Sequence, residues 1–240
     1  MKNSNCIKKL DPLIITIGIN SVEEYMKSLK AQTEAKVEAG RQANPDFMKT
    51  IDEVIAQAKA FQQGGNALPV GEQAPDFCLP NPDGQSVSLS DLLKEGPVVV
   101  TFYRGSWCPY CNLQLRALDA RLPEIKALGA QLVAISPQVP DGSMSKDDIS
   151  QMAFVVLSDQ DARVAAQYGV AWDVPEFMAE HMRVDRNLDL DVINNGNGNI
   201  LPIPATFVLS QDGVVLWRYV DVDYRTRSEP DDIIDALKSL

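Results

Sequence analysis

The sequence predicts an α/β fold with a mixed central sheet, helices on both of its faces, and an N-terminal helical extension. Three observations carry this. Val98-Val99-Val100-Thr101-Phe102 and Leu132-Val133-Ala134-Ile135 are continuous apolar runs rich in β-branched residues, the pattern of strands covered on both faces. Between them Leu115, Leu118, Leu122 and Ile125 recur at helical spacing until Gly129, so strand, helix and strand form a unit with parallel strands. Thr206-Phe207-Val208-Leu209 and Val214-Val215-Leu216-Trp217 flank Gln211-Asp212-Gly213, a hairpin signal that adds antiparallel strands.

The remaining elements follow in order. Residues 1–68 read as a helical arm. Val22, Tyr25, Met26 and Leu29 keep helical spacing behind Ser21, with Glu24 completing a capping box. After the Asn44-Pro45-Asp46 break, Ile51, Val54, Ile55, Ala58 and Phe61 or Gln62 continue the pattern until Gly64-Gly65-Asn66. Two apolar stripes must be buried, and packing on the chain's own main domain is the simpler expectation, with a homodimer contact as the rival. Residues 69–240 form the main domain. Asp76–Leu79 and Ser86–Leu89 flank Pro82-Asp83-Gly84 as a hairpin, and Ser90 is expected to cap a short helix ended by Gly96-Pro97. A strand over 153–157, helices over 161–168 and 175–182, a flexible Asn194–Asn199 loop, and a C-terminal helix opened by Ser228 and Asp231 complete the chain.

Composition narrows function. The 240 residues carry 22 Lys and Arg against 33 Asp and Glu, a formal charge of −11, and no basic patch, so nucleic acids and anionic membranes are poor partners. No run approaches the roughly 20 apolar residues of a membrane helix. Lys2, Lys8 and Lys9 precede only Leu13–Ile17, too short for a signal-peptide core, and the chain is expected to be cytoplasmic.

The chemistry concentrates in Arg104-Gly105-Ser106-Trp107-Cys108-Pro109-Tyr110-Cys111, where a buried strand gives way to a helix. A helix N-terminus favours a thiolate over a thiol, Pro109 suits the first helical position, and the Cys-x-x-Cys spacing allows a small disulfide ring. On this reading Cys108 is the exposed, more acidic attacker and Cys111 the deeper thiol that closes the disulfide. Trp107 is expected to cover the pair and Arg104 to lower a thiol pKa. Zinc would need two further ligands, and Cys6, Cys78 and His181 supply no second close pair, so no metal is expected. Cys78 reads as a buried small hydrophobe, Cys6 as a weak candidate resolving thiol and His181 as a helix-surface residue. Pro204 precedes a strand beside the central one; a cis Ile203–Pro204 bond there would leave the Ile203 backbone open to pair with an incoming chain.

On these motifs residues 69–240 resemble the alkyl hydroperoxide reductase/thiol-specific antioxidant (AhpC/TSA) family of the thioredoxin superfamily, in its peroxiredoxin-like branch carrying a CxxC. The resemblance rests on Gly71–Phe77, Phe102–Cys111, Pro202–Val208 and Asp223-Tyr224-Arg225. It implies a thioredoxin-like fold, no metal, flavin or nicotinamide cofactor, an external thiol reductant of thioredoxin or glutathione type, and a disulfide or hydroperoxide substrate. Aligned on Phe102-Tyr103, the family's peroxidatic cysteine falls on Cys111, its Thr on Cys108, its Pro on Arg104 and its Arg on Pro204. The three residues that usually serve that cysteine are therefore absent. The carboxylate that thioredoxin keeps on the preceding strand is replaced by Thr101. These departures favour thiol–disulfide exchange. A thiol peroxidase using the same cysteines, and a non-enzymatic redox sensor, remain open. No role follows from sequence for Asp223–Arg227.

Overall fold

A computed structural model describes residues 28–139, 152–196 and 199–240. The Ser21 capping box, Cys6 and the middle of the Asn/Gly loop lie outside these residues. The central sheet runs in the order β5-β4-β3-β8-β9, built from β3 (Val98–Phe102), β4 (Gln131–Ser136), β5 (Val155–Ser158), β8 (Ala205–Leu209) and β9 (Val215–Val220). β3, β4 and β5 are parallel; β8 is antiparallel to β3, with Thr101 opposite Thr206, and to β9. The mixed sheet is as expected.

Strand alternation divides the core. Val98, Val100 and Phe102 point to one face, while Val99 and Tyr103 point to the other. The Val99 face is covered by α4 (Pro109–Ala127), through Leu115, Leu118, Leu122 and Ile125, and by α8 (Pro230–Lys238), through Ile233, Ile234 and Leu237. The Phe102 face is covered by α2 (Pro45–Ala60), α5 (Arg163–Gln167) and α6 (Glu176–Asp185), and Phe102, Tyr168 and Phe207 meet there as tilted and edge-on rings.

The described part of the arm contributes to this core. α1 (Leu29–Ala43) ends at Asn44, whose side chain turns to accept the Phe47 N–H at 3.2 Å and so caps α2. Ile51, Ile55 and Ala58 of α2 share the cluster of the Phe102 face, the outcome expected from the simpler reading. Phe61 is instead 81% exposed, because the helix has ended and the stripe no longer turns inward.

Local corrections follow from caps and pairings. The hairpin β1 (Cys78–Pro80) and β2 (Ser86–Ser88) forms, but α3 (Leu89–Glu95) is capped by Ser88, whose hydroxyl accepts the Asp91 N–H at 3.1 Å, not by Ser90. α8 starts at Pro230 behind Glu229, and Ser228 instead donates its hydroxyl to Thr206 Oγ1 at 3.1 Å. Two short strands went unpredicted, β6 (Ala171–Asp173) and β7 (Ile200–Pro202), along with the single turn α7 (Leu190–Ile193). Among the described residues no helix is long and apolar enough to cross a membrane.

Candidate active site

The turn from β3 into α4 is fixed by residues that tolerate little change. Gly105 has φ +146°, and a Cβ there would lie 2.3 Å from Trp107 Nε1, so only glycine fits beneath the indole. The Ser106 N–H and hydroxyl both donate to Gln138 Oε1, at 2.8 and 3.0 Å, tying the turn to the end of β4. Asn112 Nδ2 donates back to the Ser106 carbonyl at 2.8 Å. Cys108 is the N-cap of α4 with no side-chain capping bond, and Pro109 takes the first helical position, as the sequence predicts.

Both sulfurs are free thiols and both are buried, Cys108 at 1% and Cys111 at 0% exposure. Cys111 Sγ is the convergence point. It accepts the Arg104 N–H at 3.4 Å, Arg227 Nη2 at 3.1 Å, and the Cys108 S–H. Burial by itself pushes the Cys111 thiol up; the Cys108 bond, the Arg227 charge and the Arg104 amide and charge outweigh it, bringing the pKa down to about 5. Burial pushes Cys108 well above an ordinary thiol, and donating its proton to Cys111 raises it further. The expected order of acidity is thus reversed. The helix terminus favours negative charge at both sulfurs, but discrete donors reach only the inner one, and a hydrogen bond within contact outweighs a diffuse dipole.

A cleft of about 700 Å³ opens on Cys108, with Cys111 covered behind it. It is lined by Arg104, Trp107 and Pro109 beside Cys108, by Phe47 and Met48 of α2 and Met178 and Met182 of α6, and by Lys36 and Ala43 of α1 and Arg186. Arg104 is 3% exposed, its guanidinium 4.3 Å from the Tyr224 ring centroid and 5.3 Å from that of half-buried Trp107. His181, on the cleft's rim, stacks on Phe47 and bonds Asp185 at 2.6 Å.

Five of the residues singled out from sequence therefore meet here: Arg104, Trp107, Cys108, Pro109 and Cys111. Ile203 and Pro204 do not join them. No peptide bond among the described residues is cis, which corrects the expectation for Ile203–Pro204. The Ile203 N–H is not open either; it donates to Val170 O at 2.7 Å, because β7 has paired with β6 just before it. Cys78 is exposed rather than buried, at the outer side of the β1–β2 hairpin. No group of three or more His, Cys, Asp or Glu among the described residues is arranged to hold a metal. Behind Cys111, Thr101 bonds Thr206 at 3.0 Å and Gln114 Nε2 lies 3.4 Å from both hydroxyls and from Ser228, a neutral cluster without a carboxylate. Arg227 and Tyr224 were missed as site residues, although the Asp223–Arg227 run had drawn notice without a role.

The model of the AhpC/TSA family matches residues 70–218. Peroxiredoxin Bcp of Escherichia coli K12 is 29% identical over 173 residues, covering 72% of this chain and 97% of its own. A putative peroxiredoxin bcp of Haemophilus influenzae is 37% identical over 155 residues, covering 65% and 97%. Among solved structures, peroxidoxin BcpB of Mycobacterium tuberculosis superposes with a TM-score of 0.56 at 24% identity, over 72% of this chain and 98% of that one. Peroxiredoxin Q of Xanthomonas campestris gives 0.53 at 22% identity, over 71% and 98%. These structural likenesses establish the thioredoxin-like fold.

Proposed function

The chain belongs to the AhpC/TSA family and is a thiol-dependent oxidoreductase of peroxiredoxin type, and from that premise we propose that it reduces hydroperoxides with Cys111 as nucleophile and Cys108 as resolving thiol. The observation carrying this is the buried Cys111 sulfur, which accepts hydrogen bonds from Arg227 and the Arg104 amide, with neither sulfur exposed. A macromolecular disulfide requires an exposed attacker. A hydroperoxide is small enough to enter through the cleft at Cys108.

The Cys111 thiolate attacks the distal oxygen of ROOH and the O–O bond breaks, giving Cys111 sulfenic acid and an alkoxide. The Cys108 S–H, already directed at Cys111, gives its proton to the alkoxide and leaves ROH. The resulting Cys108 thiolate attacks the Cys111 sulfur, forms the Cys108–Cys111 disulfide and expels hydroxide, which a solvent proton converts to water. An external dithiol, or two monothiols, of thioredoxin or glutathione type then reduces the disulfide by exchange and is itself oxidised. The thiol–disulfide exchange inferred from the Cys-x-x-Cys spacing becomes the reductive half of this cycle. A cytoplasmic setting, where such thiol donors are kept reduced, fits it. We place the catalytic unit at residues 69–240 and the arm at residues 1–68, with α1 and α2 of the arm covering the substrate side.

The test is rapid-mixing Trp fluorescence with hydrogen peroxide, cumene hydroperoxide and oxidised glutathione, followed by dimedone labelling of each cysteine variant. The reading expects a hydroperoxide to react faster than oxidised glutathione, and Cys108→Ser to retain a dimedone-reactive sulfenic acid on Cys111. Faster reaction with oxidised glutathione would restore disulfide exchange as the primary reaction. A sulfenic acid on Cys108 in Cys111→Ser, with none on Cys111 in Cys108→Ser, would exchange the two roles.

A further inference from the structure

We propose that the cleft above Cys108 is a binding site for a carboxylate carried on an apolar body, with Arg104 as the residue that takes the carboxylate. Arg104 is nearly fully buried, yet its Nε has no hydrogen-bond partner and no carboxylate pairs with its guanidinium among the described residues. Arg225, by contrast, is held by Asp223 and Asp52. A buried cation is costly unless paired, and stacking on Tyr224 and Trp107 offsets only part of that cost. The sulfur centre offers no full compensation, because two guanidiniums, Arg104 and Arg227, face a single Cys111 thiolate. One positive charge is therefore left over at the sulfur centre, on Arg104, which lines the cleft together with Lys36 and Arg186, so the Arg104 variants below decide which cation takes the carboxylate.

The rest of the cleft specifies what carries the anion. Phe47, Met48, Met178 and Met182 present apolar, deformable walls suited to a hydrocarbon chain or ring rather than to a sugar or a peptide backbone. The one acid on the rim, Asp185, is engaged by His181. Neither half of the site comes from the family likeness. Arg104 stands where the resembled family has a proline, and the α2 wall lies outside the matched residues 70–218. The formal net charge of −11 disfavours anions at long range, so this selectivity is local and requires the ligand's apolar part to enter.

The ligand class deepens the peroxidase reading: the substrate would be an organic hydroperoxide bearing a carboxylate. Binding and turnover test the two ideas separately. The reduced full-length protein is titrated with 4-isopropylbenzoate and with its neutral counterpart 4-isopropylbenzamide, followed by Trp fluorescence and calorimetry. The carboxylate should bind about tenfold tighter or better, the low end of a charge-assisted contact. Arg104→Gln should erase that difference, Arg104→Lys should keep part of it, and Ala43→Trp, filling the cleft from α1, should weaken both ligands. Equal binding of acid and amide to the wild-type protein, which requires no variant, overturns the proposal, as does a preference that survives Arg104→Gln. In turnover, the para-carboxylate of cumene hydroperoxide should show a KM lower than the parent by a similar factor. Preferential binding of the benzoate without turnover of either hydroperoxide would sink the peroxidase reading and leave the site intact.

Discussion

Arg227 donates from Nη2 to Cys111 Sγ at 3.1 Å, from the segment between β9, the last strand, and α8. The same guanidinium donates from Nη1 to the Tyr224 and Thr226 carbonyls, so its position is set by its own turn and not by the sulfur alone. A fixed cation needs little reorganisation when the thiolate forms, which is how a buried site stabilises charge effectively.

Replacing Arg227 with Met should therefore raise the Cys111 pKa from about 5 toward an ordinary thiol. Each unit of rise cuts the thiolate population tenfold on the acid side, so alkylation near pH 6 should slow by roughly ten- to a hundredfold and recover in alkali. Ultraviolet thiolate absorbance against pH checks this directly; an unmoved titration would remove Arg227 from the activation of Cys111. Stability carries the same signature. A depressed Cys111 pKa contributes stability in full above the ordinary thiol value of 9.0, lost as pH falls toward about 5. Raised Cys108 acts oppositely, stabilising below that value and losing its contribution as pH rises beyond it. The reduced protein should gain stability between pH 5 and the ordinary thiol range, and Cys111→Ser should flatten that gain.

Gly105→Ala tests the turn. The new methyl meets the Trp107 indole at 2.3 Å on a backbone with φ +146°, so either the ring or the chain must shift. A strained backbone of this kind costs about 1–3 kcal/mol. Denaturant midpoints should fall accordingly, and the Trp emission should change in the native state. A variant with unchanged stability and emission would show that the turn adapts freely.

The arm is clasped by residues remote in sequence. Glu229 accepts the Leu29 N–H at 3.1 Å and the Lys30 N–H at 2.6 Å, capping α1 across the chain. Asp52 joins Arg225 at 2.7 Å and Arg41 at 2.6 Å. Losing a cap of this type costs about 1 kcal/mol. Glu229→Ala should therefore speed amide exchange over residues 29–43 well before the central sheet responds. Equal protection in variant and wild type would mean the cap is redundant. Burial alone would raise the Asp52 carboxyl, but the two arginines hold it below the usual carboxylate range. The clasp's contribution is thus full above about pH 4 and lost as pH falls through the lowered value.

What the sequence made legible is what local pattern controls. Apolar runs such as 98–102, the stripe from Leu115 to Ile125 and the turn at Gln211-Asp212-Gly213 each act through near neighbours, and the sheet follows from them. The cysteine pair was legible for the same reason. Its acidity was not, because Arg227 reaches Cys111 across 116 positions of chain and no periodicity encodes that contact. The engaged Ile203 N–H was hidden likewise: it bonds Val170 beside β6 and β7, strands of three residues each, too short to stand out against their loops. Glu229 was passed over as the residue before a helix, since a carboxylate capping a helix 200 positions away leaves no local trace.

Ile51 decides whether the arm is an attachment or part of the folding unit. Its side chain is fully buried in the cluster that also holds Phe102, Tyr168 and Phe207, beneath the sheet that carries the cysteine turn. Truncating such a residue removes its apolar contacts and leaves a cavity, a loss of about 2–5 kcal/mol depending on how far the site collapses. If α2 folds together with the sheet, Ile51→Ala should shift the whole unfolding transition while it stays single, with Trp fluorescence and far-ultraviolet dichroism moving together. If the arm is an attachment, far-ultraviolet dichroism should lose a helical fraction in an early step while the Trp signal keeps its wild-type midpoint. That second outcome would put the folding boundary at the end of the arm and make the substrate-side wall separable from the chemistry.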